Sequence, residues 1–264
     1  MVQSNLNRFA RIPDRIWQDQ KLIRLARNWR QLLAAKLSNQ NFDNIELRNG
    51  VILKAPPEIA LNFLFHEIWI DEVYAPSGYE INDGDTVVDI GANIGVFAMY
   101  AATRALGVKV KSYEPFPKNA EYFRANLEAS KLDNVEFYQL AVAGSNGSRT
   151  LHVEDAWILH SLADKDSAEK GLDVECITLD KVFADVDRCD LLKLDCEGSE
   201  YEILYSASNE TFGRISRIVC EFNNIDSERK NGTSLGSFLA QKGFEVEAIG
   251  PQEDESGFFC AKRV

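Results

Sequence analysis

The sequence predicts an open α/β sheet, mostly parallel, with helices on both faces, an antiparallel C-terminal edge and a helical and hairpin extension in front. Three observations carry that reading. From Asp83 onward, short apolar strands alternate with helical stretches, the pattern of a parallel sheet. The first of those strands runs directly into a glycine-bearing loop and then a helix. The last two apolar runs, residues 243–249 and 257–262, follow one another with no helix between them, as an antiparallel pair does.

The 264 residues suffice for one sizeable α/β domain and a modest extension, divided here as residues 81–264 and 1–80. In the extension, Ile16, Ile23, Leu25, Leu32 and Leu33 recur near helical spacing, which predicts one helix over about residues 12–37. Two short runs flank Asn49-Gly50, a hairpin signal because both turn residues tolerate positive φ. A further helix is expected over 58–75, ended by Pro76-Ser77-Gly78. In the domain, strands are expected at 86–90, 108–114, 135–142, 191–195 and 218–222, with helices at 97–105 and 119–130. Residues 143–178 interrupt the alternation, and Asn146-Gly147 predicts a hairpin there.

A net charge of −12 repels phosphate backbones and so argues against nucleic acid as a partner. The charge is uneven: Arg8, Arg11, Arg15, Lys21, Arg24, Arg27, Arg30 and Lys36 face only Asp14 and Asp19 in the first 36 residues. Such a basic helix is either a solvated face or a peripheral contact with an anionic membrane or a protein partner. The five cysteines form no CxxC or zinc spacing, and most sit in apolar runs, as buried thiols of a reducing, cytoplasmic setting do. No stretch is apolar for long enough to span a bilayer.

The chemistry concentrates at three places. The loop Asp89-Ile90-Gly91-Ala92-Asn93-Ile94-Gly95 follows the first strand. A dinucleotide site would use GxGxxG against a pyrophosphate, but here Asn93 replaces the middle glycine and the last spacing is shorter. A ligand with an ammonium and a carboxylate and no phosphate suits it better, and S-adenosylmethionine (SAM) is such a ligand. Asp89 then pairs with the ammonium, directly or through water, while amides of Gly91, Asn93 and Gly95 meet the carboxylate. Second, Glu114 ends the next strand, placed to accept from two ribose hydroxyls, with Pro115 and Phe116 beside the base. Third, Asp195 ends the apolar run 191–194, at the sheet edge where ligands bind. Glu197 shares that role or caps the next helix, and Glu200 reads as a helix-surface residue.

Together these stretches resemble the FkbM family of SAM-dependent methyltransferases. The resemblance rests on Asp85–Gly95, on Tyr113-Glu114-Pro115-Phe116-Pro117 and Asn126, on Ile177-Thr178-Leu179-Asp180, and on Leu192-Lys193-Leu194-Asp195-Cys196-Glu197-Gly198 with Glu200 and Glu221. Leu47–Gly50 and the segment Glu67–Tyr74 are similar to that family's lead-in, and the likeness spans about residues 45–262. Cys196, where Val or Ile is expected, is a departure. The resemblance implies a Rossmann-like class I methyltransferase sheet, SAM as cofactor, and O-methylation of a hydroxyl on a sugar, a glycan or a secondary metabolite.

Methyl transfer to an alcohol gains from a base beside the acceptor. Asp195 and His160, the latter in the 143–178 interruption with Trp157, are the candidates. A pocket without metal is expected; the alternative is Mg²⁺ held by Asp195, Glu221 and Asn223. The rival functions are a non-catalytic SAM-fold scaffold and an NAD-dependent oxidoreductase, which the missing GxGxxG disfavours.

Overall fold

The computed structural model describes residues 12–153, 160–161, 171–249 and 256–264. Helices α1 (Ile12–Leu25) and α2 (Trp29–Leu37) replace the single helix expected over 12–37. The break has a tertiary cause. Ala26 bridges Leu47, and Arg27 N–H donates to the Glu46 carbonyl. Asn28 accepts from Glu46 N–H through Oδ1 and donates through Nδ2 to the Asn44 carbonyl. The hairpin thus captures the chain at the point where the helix would have continued. Part of the basic face is also consumed within the molecule. Lys21 pairs with Glu72 at 3.1 Å, Lys36 pairs with Asp19 at 2.5 Å, and Arg30 stacks on Trp29. Arg8 and Arg11 lie outside the described residues.

The hairpin β1 (Asn44–Glu46) and β2 (Ile52–Lys54) turns at Asn49-Gly50 as expected, with Ile45 opposite Leu53 and both fully buried. The helix expected over 58–75 is confined to α3 (Leu61–Phe65) and a wide π turn, His66–Ile70, that buries Ile68, Trp69 and Ile70. These elements share one apolar core with the main sheet, continuous from Leu22 through Phe65 to Val87 and Tyr100. A buried amide fastens the two parts: Asn126 exchanges hydrogen bonds with both backbone groups of Lys54 and donates to the Ile94 carbonyl.

The main sheet has seven strands: β3 (Thr86–Ile90), β4 (Lys109–Tyr113), β5 (Val135–Tyr138), β10 (Leu191–Leu194), β11 (Arg217–Asn223), β12 (Phe244–Ile249) and β13 (Ser256–Arg263), in the order β12-β13-β11-β10-β3-β4-β5. Pairing is parallel from β5 to β11, and β13 runs antiparallel to both β11 and β12, the edge the sequence predicts. Helices α4 (Val96–Ala102) and α5 (Pro117–Ser130) serve the first half; α7 (Glu200–Ser206), α8 (Asn209–Gly213) and α9 (Gly232–Gln241) serve the second. Alternation along β3 and β10 divides the core. Val87 and Leu191 join the cluster around α4, and Val88, Leu192 and Leu194 join the cluster around α7 and α9.

The strand expected over 135–142 is two strands. β5 stays in the main sheet, while β6 (Ala141–Val142) enters a second, four-stranded sheet with β7 (Gly147–Val153), β8 (His160–Ser161) and β9 (Gly171–Ile177), ordered β6-β9-β7-β8. The hairpin expected at Asn146-Gly147 does not form, because β9 lies between β6 and β7 and pairs with both. Asn146 instead accepts from Thr178 N–H, tying the turn to the start of the short helix α6 (Leu179–Val182). Among the described residues, no helix is long and apolar enough to cross a membrane.

Candidate functional site

Strand order reverses direction between β3 and β10, and a crevice opens at their carboxyl ends, where open α/β sheets bind ligands. The cleft has a cavity volume of about 170 Å³ and is open to solvent at its mouth. Its walls come from the β3 loop (Gly91, Asn93), the end of β4 (Glu114, Pro115), Asn119 of α5, the β10 loop (Asp195, Glu197) and Glu221 of β11. Phe63 and Glu67 close it from the extension, and Leu151 from the small sheet.

The loop after β3 is shaped by two glycines. A Cβ on Gly91, at φ +77°, would lie 1.8 Å from the Asp195 carbonyl oxygen, and one on Gly95, at φ +88°, would lie 2.9 Å from the Phe123 ring. Each glycine therefore permits a close approach that a side chain would block. Asn93, at φ +51°, takes the position a middle glycine would hold, and its Oδ1 accepts from the next amide.

Glu114 is held firmly. Asn93 N–H donates to its Oε2 at 2.9 Å, Phe116 N–H to its Oε1 at 2.9 Å, and Asn119 Nδ2 to Oε1 at 3.4 Å. A carboxylate offers about four acceptor sites, so it keeps capacity for hydroxyl donors in the cleft. Burial pushes it up to about 7 against the pull of those amides. Beside it, the buried Oδ1 of Asn119 has no hydrogen-bond partner. Two acceptors thus face one wall, and an adenosine supplies hydroxyl and amino donors for such a pair. Pro115 lines the cleft; Phe116 does not. Its ring is buried with Ala141, Leu151 and Val174 under the small sheet.

Asp89 occupies a different place from the one its motif implies. It is fully buried and does not line the cleft. Lys193 is its register partner on the adjacent parallel strand, so both side chains stand on the same face. The Lys193 ammonium lies 3.2 Å from Asp89 Oδ1, 3.6 Å from Asp195 Oδ2 and 2.7 Å from the Gly91 carbonyl, to which it donates. A built-in ammonium thus takes the role that a ligand ammonium was expected to play at Asp89. Burial alone would lower Lys193, but the Asp89 and Asp195 carboxylates hold it above the ordinary lysine range. The sequence signal was legible: a lysine inside the apolar run Leu191-Leu192-Lys193-Leu194 needs a buried partner.

Asp195 stands at the cleft, half-buried, accepting from the Tyr74 hydroxyl at 2.9 Å. The same hydroxyl lies 3.1 Å from Glu221 Oε2. Burial raises Glu67 and Glu221 to about 7 and Glu197 to about 8, with neighbouring carboxylates adding to each. Glu221 turns to Tyr74, and Asn223 Nδ2 donates to Glu197 at 3.3 Å. Glu200 corrects the surface reading: it is buried, and its carboxylate accepts from Cys196 N–H and Gly198 N–H, bracing the loop that carries Asp195 and Glu197. The backbone of His160 pairs with Val153 at the outer strand of the small sheet, and its side chain, like Trp157, lies outside the described residues.

The Methyltransferase FkbM domain family matches residues 89–246. The chain is 27% identical over 241 residues to the 31-O-demethyl-FK506 methyltransferase FkbM of Streptomyces tacrolimicus, covering 78% of this chain and 90% of that protein. It is 26% identical to Methyltransferase 1 of Beauveria bassiana, covering 79% of this chain and 92% of the relative. Among solved structures, an rRNA methylase from Streptococcus thermophilus aligns with a TM-score of 0.47 at 10% identity, covering 75% of this chain and 96% of that one. A SAM-dependent methyltransferase from Aquifex aeolicus aligns at 0.41 and 12% identity, covering 75% and 93%. With its sheet of the Rossmann-like class I methyltransferase type and a match across the loop, Glu114 and the Asp195 segment, the chain belongs to the FkbM methyltransferase family.

Proposed function

We propose that the protein transfers a methyl group from SAM to a hydroxyl of a sugar, a glycan or a secondary metabolite. The observation that carries this reading is the division of one cleft into two halves. One half offers Glu114 and the unpartnered Asn119 Oδ1 for an adenosine. The other offers Asp195 among further carboxylates for a cationic centre and an acidic proton. The Streptomyces relative, whose name places its methylation at an oxygen, supports a hydroxyl acceptor. When bound, SAM supplies an electrophilic methyl on a sulfonium.

The residues then divide the work. Glu114 accepts from the ribose, Asn119 and Pro115 orient the base, and the Gly91–Gly95 loop meets the amino-acid end. Asp195 takes the acceptor proton, and Lys193, 3.6 Å behind it, holds that carboxylate in place. Glu197 belongs to the cation-favouring rim. His160 is the second candidate base. Five unpaired thiols suit a reducing, cytoplasmic compartment. The decisive experiment incubates protein and SAM with a panel of glycans and hydroxylated metabolites and reads product mass. A gain of one methyl supports the function, whereas SAM binding with no product across the panel leaves a SAM-binding scaffold.

Two predictions arise at this site. Glu114→Ala removes charge-assisted hydrogen bonds and is expected to weaken SAM and S-adenosylhomocysteine (SAH) alike by about 1.5–3 kcal/mol. Calorimetry checks it, and unchanged affinity would remove Glu114 from the contact. The second concerns pH. SAM carries one more positive charge than SAH, so it gains more from ionised carboxylates. Glu67, Glu114 and Glu221 ionise near 7 and Glu197 near 8. Lowering the pH through that window adds protons that oppose the sulfonium, so the preference for SAM over SAH falls by roughly tenfold, the worth of one pKa unit. The linkage sign for the free protein follows. Carboxyls raised above their ordinary value stabilise the fold while protonated, so stability is full below about pH 4.5 and is lost as pH rises from there through 7 to 8. A SAM-to-SAH ratio independent of pH would contradict the first statement, and a denaturation midpoint independent of pH across that range would contradict the second.

A further inference from the structure

Tyr74 has no part in the transfer as described, yet it sits at its centre. The residue is 2% exposed, with its ring packed edge-on against Phe97 and Phe258 at centroid distances of 5.5 and 5.2 Å. Its hydroxyl lies 2.9 Å from Asp195 Oδ2 and 3.1 Å from Glu221 Oε2. A phenol has one proton to donate and oxygen lone pairs to accept with. Burial, then the charges of Asp195 and Glu221, hold this phenol far above its ordinary value, so its proton stays. It can donate to only one of the two carboxyls. The other is satisfied only if it carries a proton and donates back to the phenol oxygen, since an ionised carboxylate there would face a lone pair.

The surroundings decide which carboxyl holds the proton. Of the two carboxyls, Asp195 lies 3.6 Å from the Lys193 ammonium, which Asp89 shares at 3.2 Å. Glu221 is pushed up to about 7 by burial first and then by the charge of Asp195. Facing this trio are Glu67 from the π turn, Lys193 from the Asp195 strand and Glu197 from the loop after it.

We propose that Tyr74 is a positioning residue that holds Asp195 as the base and Glu221 as its protonated reserve, the three forming a proton wire from the acceptor to a second carboxyl on the cleft wall. This rests on Asp195 being the base. As the acceptor oxygen bonds to the methyl carbon, the sulfur keeps the electron pair of the broken bond, and the acceptor proton passes to Asp195. Glu221 releases its proton to solvent in the cleft, whose wall it lines. The proton on Asp195 then moves to the Tyr74 oxygen while the Tyr74 proton moves to Glu221. One proton has left, and Asp195 is again a carboxylate.

The test is infrared difference spectroscopy of the SAH-bound protein, wild type minus Glu221→Gln, which isolates one carboxyl among several. The expected spectrum below neutrality holds the C=O stretch of a protonated, hydrogen-bonded carboxyl that vanishes as pH rises through about 7. In Tyr74→Phe, which keeps the ring packing, that band shifts to the frequency of a carboxyl without its phenol acceptor, and its midpoint moves. With the acceptor from the mass screen, Tyr74→Phe is also expected to lower kcat by about tenfold or more at neutral pH, with SAM affinity kept. The absence of a protonated-carboxyl band from the difference spectrum, or a band unchanged in Tyr74→Phe, overturns the wire. SAH that fails to bind the wild type in calorimetry sinks the parent reading instead, and the same difference spectrum on the free protein still decides the wire.

Discussion

Asp195→Asn is expected to lower methyl transfer by on the order of 10²–10⁴-fold, the usual worth of a positioned general base, while the protein still folds and still binds SAH. Asparagine keeps the size of the side chain and can still accept from the Tyr74 hydroxyl, which lies 2.9 Å from Asp195 Oδ2. What it lacks is a site for the proton released by the acceptor. The effect should fall on kcat and kcat/KM together, because the lost interaction belongs to the transition state. His160→Ala is the paired control. Near-normal turnover in that variant, with a collapse in Asp195→Asn, assigns the base to Asp195. The reverse pattern transfers the role to His160, and its pH profile should then lose an inflection near neutrality.

Lys193→Met is expected to cost about 3–5 kcal/mol of stability, because it strands Asp89 as a buried charge without its partner. Lys193 is 3% exposed and Asp89 fully buried, and beyond Lys193 the Asp89 carboxylate has a Ser112 hydroxyl at 3.4 Å. The deficit should depend on pH in a definite direction. Burial already raises Asp89 while Lys193 opposes that rise. Removing the ammonium raises it further, so protonation relieves the variant at low pH and the gap from wild type widens as pH increases. Asp89→Asn placed in the Lys193→Met background should recover most of the loss. Chemical denaturation of the three proteins across pH measures this directly. Equal midpoints for wild type and Lys193→Met would mean that the pair is energetically neutral.

Much of this protein is determined locally and is therefore readable from the sequence alone. The alternation of apolar strands and helices, the glycines at 91 and 95, and the acids at 89, 114 and 195 depend on backbone geometry and on position along each strand. These identify the sheet type, the antiparallel edge and the residues at the strand ends. The tertiary structure decided what those residues face. Helix propensity runs unbroken through residues 26–28, and only the docking of the hairpin on Ala26–Asn28 divides α1 from α2. The turn at Asn146-Gly147 joins strands that β9 separates, because strand pairing is chosen by partners far along the chain. Asp89 reads as a ligand contact until the register of β3 against β10 sets Lys193 opposite it. Tyr74 enters the sequence reading only as the end of the Glu67–Tyr74 lead-in, with no chemical role. Its importance comes from a hydroxyl brought between carboxylates 121 and 147 residues away, a meeting that sequence spacing does not encode and that the packing of the extension against the sheet creates.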